Sequence, residues 1–122
     1  MRQLTILIIL LGFFVTAGEL QAQTKKKKTA YKTQIAEWKE ARNGAYLSVK
    51  WTMEVGIIFQ EYATAHLYSK ENQNSSYWIR LYNYSTPIHQ YNIIIVTGQT
   101  MGVSHDGSVE IAVERIVNKG VE

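Results

Sequence analysis

Cysteine is absent from the 122 residues. That excludes disulfides, thiolate nucleophiles, cysteine-ligated zinc and amino-terminal lipidation on cysteine. If the chain is exported, its stability must come from its core. Proline occurs once, and the eight glycines are spread along the chain. No segment but one lysine run has low complexity, and there is no internal repeat. Histidine occurs three times, as His66, His89 and His105, and no pair has the i, i+4 spacing of a helical metal site. No acidic cluster accompanies them, so we expect no metal, no cofactor and no catalytic set. Ser104-His105-Asp106 contains the residue types of a triad, but sequence neighbours cannot supply its spatial relay. A polar turn is the better reading. P-loop, dinucleotide and nucleophile-elbow fingerprints are missing as well.

Positive charge is scarcer than the total implies. The net charge is +3, yet Lys25 to Lys28 contribute four positive charges alone. From Ala45 onward five basic residues face seven acidic ones, a balance of −2. The basic character therefore belongs to a tail, and a nucleic-acid partner is not expected.

No apolar run is as long as the roughly 20 residues that span a bilayer. The uncharged stretch Gln3 to Gly18 has 16 residues. With Arg2 before it and Leu20-Gln21-Ala22 after it, residues 1–22 read as a secretory signal peptide cleaved before Gln23. The protein is then secreted or periplasmic and meets the membrane only in transit. The rival reading is an uncleaved anchor, which Lys25 to Lys28 would hold with its carboxyl terminus inside. Residues 23–44 read as a basic linker followed by a short helix. Tyr31, Ile35 and Trp38 form a helical stripe, Lys39 and Arg42 suit a helix end, and Gly44 suits a cap. A hairpin turning at Asn43-Gly44 is the competing assignment.

What is abundant is alternation. In Ala45 to Val55, Leu47, Val49, Trp51, Met53 and Val55 alternate without a break with polar or amphipathic residues. Period two is the signature of a strand with one buried face. Gly56 then interrupts, marking a bulge or bend. Glu61 to Ser69, Tyr77 to Tyr84 and Tyr91 to Thr97 read as further strands, the last covered on both faces. Gly98 to Gly102 reads as a turn, as does His105 to Ser108 with Gly107 at positive φ. Val109 to Glu114 is the final alternating strand, with Val117 a candidate extension. Residues 45–122 are thus expected to form a mainly β domain, a small antiparallel sandwich or barrel of five to seven strands.

Tyrosine is also abundant, with six of its eight copies between Tyr62 and Tyr91. If Glu61–Ser69 and Tyr77–Tyr84 pair as a hairpin, burying both apolar faces fixes the register. Tyr62, Thr64, His66, Tyr68, Trp78, Arg80, Tyr82 and Tyr84 then share the opposite face. Such rings, with hydrogen-bonding groups among them, suit a glycan, a peptide or a protein ligand. His66 would add pH dependence in the range where an imidazole titrates. The bland alternative is ordinary cross-strand pairing, since strands are rich in aromatics. Asn74-Ser75-Ser76 and Asn83-Tyr84-Ser85 match the N-glycosylation pattern, which short sequences often do by chance. The expected function is a non-catalytic binding or structural module using that face or a sheet edge. The alternative is a small secreted hydrolase with an unrecognised site.

Overall fold

The computed structural model describes residues 30–121. The expected signal peptide and lysine run lie outside them. Residues 30–42 form helix α1. Five strands follow: β1 (Ser48–Ile58), β2 (Ala63–Leu67), β3 (Trp78–Tyr82), β4 (Ile93–Val103) and β5 (Val109–Asn118). They close into a barrel in the order β1-β2-β3-β5-β4, with β4 returning to β1. Four of the five pairings are antiparallel, and β3–β5 is parallel. That parallel seam departs from the expectation of antiparallel pairing throughout. It follows from closure: β4 crosses to lie beside β1, and β5 runs back against it, in the direction of β3. With closure, each of the five strands has a neighbour on both sides.

Alternation puts the core where the sequence implies. Val49, Trp51, Met53 and Val55 of β1 point inward with Ala63, Ala65 and Leu67 of β2 and Ile79 and Leu81 of β3. Ile94, Val96, Val109 and Ile111 complete the interior. The helix contributes Trp38 and Ala41, with Tyr31 and Ile35 packed alongside. From Tyr31 onward it belongs to the same compact unit as the barrel. Its carboxyl end is a Schellman cap: Ala45 N–H donates to Glu40 O, Gly44 N–H donates to Ala41 O, and Gly44 has φ 102°. Gln34 reaches β1, where its Oε1 accepts from Thr52 N–H at 2.8 Å. Trp38 Nε1–H donates to Trp78 O at 2.9 Å, fixing the helix against the start of β3.

Three glycines explain local geometry. The β1–β2 register slips between Val55 and Ile58, the expected irregularity at Gly56. The Thr64 hydroxyl clamps it, accepting from Ile57 N–H at 2.8 Å and donating to Ile57 O at 3.2 Å. Gly107 has φ 90°, within the expected turn. The expected turn at Gly98 to Gly102 is overturned: β4 runs through both glycines. A Cβ at Gly98 would lie 2.4 Å from Ala112 O, so this glycine permits close approach of β5. The β4–β5 register shifts on either side of that contact.

Candidate functional site

The outer surface of β2 and β3 brings most of the expected site residues together. The register pairs Thr64 with Arg80 and His66 with Trp78, as the two apolar faces require. Arg80 lies opposite Glu110, and Tyr82 opposite Ala112, across the parallel seam. The loop at residues 59–62 flanks this surface at one end, and the loop at residues 104–108 at the other.

Trp78 is exposed, with 44 % of its surface open to solvent. Its indole leans over β2 toward β1. A Cβ at Gly56 would meet Trp78 Cζ3 at 3.3 Å and Thr64 Oγ1 at 2.7 Å. Gly56 thus has a second effect besides the bulge, because it leaves room for the indole. The His66 ring meets Trp78 edge-on, with centroids 5.3 Å apart. His66 is itself buried. Its Nε2 lies 3.0 Å from Glu54 Oε1 and its Nδ1 lies 3.0 Å from the Leu67 carbonyl oxygen. Both ring nitrogens are engaged, so His66 braces Trp78.

Arg80 occupies the centre. Its Nη2 donates to Asp106 Oδ2 at 2.9 Å, and its guanidinium lies 4.6 Å from the Tyr62 ring centroid. Donation to Asp106, and then to the Tyr82 oxygen, pushes the guanidinium pKa up. Its charge is therefore fixed but largely neutralised locally. Tyr82 donates to Glu110 Oε2 at 2.8 Å. Burial, then that bond, raise the pKa of the phenol above its usual value. Tyr62 stacks on Phe59 at 4.8 Å and lies 5.6 Å from Tyr82.

Asp106 arrives from the 104–108 turn. It accepts from the Ser104 hydroxyl and from Ser108 N–H, in addition to Arg80. The Ser104 hydroxyl above all, then Ser108 N–H and Arg80, hold its carboxyl well below the usual carboxylate range. The sign of the resulting pH effect follows. A depressed folded pKa gives stabilisation that is complete above the ordinary value of 3.8 and fades as pH falls below it. Asp106 is 46 % exposed at its side chain, so solvent screening keeps the ion-pair part within about 1 kcal/mol. We expect the stability gap between wild type and Asp106→Asn to be constant from pH 5 to 8. It should shrink below about pH 4. Urea denaturation across that range checks this, and a gap that widens on acidification would contradict it.

Two of the expected face residues lie elsewhere. Tyr84 is beyond β3, because Asn83 adopts φ 62° and turns the chain. Its ring packs against the core cluster. Tyr68 follows the end of β2 and is buried, its N–H donating to Thr52 O at 3.1 Å. Trp78, Arg80, Tyr82, Tyr62 and His66 are brought together. The sequence reading missed Asp106, Arg42 and Trp38, which complete a cleft of 310 Å³ beside Trp78 and Thr64. Arg42 sits 5.4 Å over the Trp38 ring. The helical stripe marked Trp38 as core, and nothing local in the sequence marks the turn carrying Asp106 as a neighbour of Arg80. Among the described residues no three His, Cys, Asp or Glu side chains come together as a metal site.

No family model, curated protein or solved structure matches this chain.

Proposed function

We propose that the protein is an exported, non-catalytic binding module that holds a glycan on the outer face of β2 and β3. The observation that carries this reading is the exposed Trp78 indole, lying over Gly56 and against His66, with Arg80 and Tyr82 following it on the same face of β3. A sugar ring presents an apolar face to an aromatic ring and hydroxyls at its rim. Arg80, Asp106 and Glu110 offer donors and acceptors at that rim. These groups are already oriented by their own hydrogen bonds, which lowers the ordering cost of binding. Anionic polymers fit poorly, because Asp106 neutralises Arg80 and acidic groups surround it. A peptide added as a strand has little to pair with, since every strand of the barrel already has a neighbour on each side. Five-stranded barrels of the OB type bind oligomers on the face of their second and third strands. That analogy supports the reading, but the side chains must carry it.

The hydrolase alternative would need a poised base beside a nucleophile. His66 is tied at both nitrogens, and the Ser104 hydroxyl donates within its own turn. A glycan array, followed by titration calorimetry of any saccharide retained, tests the proposal. Saccharide binding without turnover is expected. Retention of a peptide or protein partner with no glycan bound would replace the ligand class.

Export is the other part of the proposal. The apolar run before Gly18 and the Leu20-Gln21-Ala22 site support cleavage before Gln23. Mass spectrometry of the secreted or periplasmic fraction should find a chain beginning at Gln23. An intact amino terminus in the membrane fraction would favour the anchor.

A further inference from the structure

A second cleft, of 680 Å³, lies around the barrel from the Trp78 face. Its walls include Glu54, Tyr68, Lys70, Gln73, Tyr91 and Ile93. Tyr91 is the unusual member, with φ 72° and a residue 60 % exposed. A bulky side chain in the left-handed region is strained, and glycine or asparagine would hold that conformation at lower cost. The backbone there is set by its surroundings. Tyr91 N–H donates to Val55 O, and the Asn92 side chain accepts from His89 N–H and Asn118 Nδ2–H. These bonds use main chain and neighbouring side chains, and none of them requires a ring at Tyr91. Such an outlier points from geometry toward function.

The register connects the two clefts. Trp78 pairs with His66, His66 with Glu54, and Glu54 with Ile93. Four adjacent strands thus place these residues abreast on the outward side of the barrel, with His66 and Ile93 covered by their neighbours, a span of about 14 Å at three interstrand spacings. Glu54 belongs to both ends: its carboxylate lies 3.0 Å from His66 Nε2 and also lines the second cleft.

We infer that this cleft is a second saccharide subsite, with Tyr91 as its stacking ring and Glu54 and Gln73 as hydroxyl partners, so that one oligosaccharide runs across β3, β2 and β1. The inference rests on the glycan reading of the Trp78 face and extends it to a chain longer than one sugar. A ring at Tyr91 offers an apolar platform, Glu54 accepts hydrogen bonds, and the Gln73 amide both donates and accepts.

The test uses titration calorimetry with β-1,4-linked glucose and N-acetylglucosamine oligomers, from monosaccharide to hexasaccharide. Wild-type affinity should rise with length until both clefts are filled and then level off. Tyr91→Gly should weaken the long oligomers by about tenfold and leave the shortest bound ones unchanged. Its melting temperature should be unchanged or raised, because the strained conformation suits glycine. Tyr91→Asn, which also tolerates that conformation, should behave alike. Affinity independent of length, with Tyr91→Gly silent, overturns the second subsite and leaves the Trp78 face intact. A marked fall in the melting temperature of both variants would make the ring structural and also overturn it. Failure of every oligomer to bind wild type overturns this inference together with the glycan reading.

Discussion

Replacing Trp51 with alanine should cost about 3–5 kcal/mol of stability, the range for truncating a large buried aromatic. The side chain is wholly buried among Met53, Leu67 and the other inward residues of the barrel. Its Nε1 lies 3.4 Å from Glu37 Oε1, so the indole also links the barrel to α1. Removal leaves a cavity at the barrel–helix junction, where ring closure limits collapse. Lys50 is adjacent in sequence but points outward and is exposed. Lys50→Ala should stay within about 0.5 kcal/mol of wild type, as for an ordinary surface position. Urea denaturation of the two variants checks the contrast. Equal losses would mean that the inward face of β1 has been misassigned.

Trp78→Ala should weaken saccharide binding by about 2 kcal/mol or more, because binding energy concentrates in central aromatic and arginine anchors. The fold should survive. Trp78 sits outside the core cluster, and its contact with Trp38 runs through its backbone oxygen, which alanine keeps. Tyr82→Ala should act in the same direction through a second route, since it frees Glu110 and removes a neighbour of Tyr62. A variant that unfolds instead would show that these rings serve packing, and the bland reading of cross-strand aromatics would stand.

Much of this surface was legible because two strands carry unambiguous inward faces. Ala63, Ala65 and Leu67 against Ile79 and Leu81 leave one register that buries everything. Trp78, Arg80 and His66 then have to share the other side. The same logic located Trp51 inside and Lys50 outside. It failed where the backbone left the strand. Asn83 in the left-handed region carries Tyr84 back toward the core, and asparagine tolerates that conformation without announcing it. It failed again at Gly98, where a glycine that looks like a turn signal serves close strand approach. The parallel β3–β5 seam was invisible because its partners are separated in sequence by the whole of β4. Asp106 reaches Arg80 only through that seam, so half of the central ion pair could not be found from local pattern.

The claim that the β2–β3 surface is the binding face is tested most directly by amide chemical-shift mapping of the protein titrated with the retained saccharide. Shifts should concentrate at Thr64, Trp78, Arg80 and Tyr82 and in the 59–62 and 104–108 loops, with the Trp78 indole signal among the largest. Shifts confined to the outer face of β4 and β5, with the Trp78 indole unmoved, would contradict it.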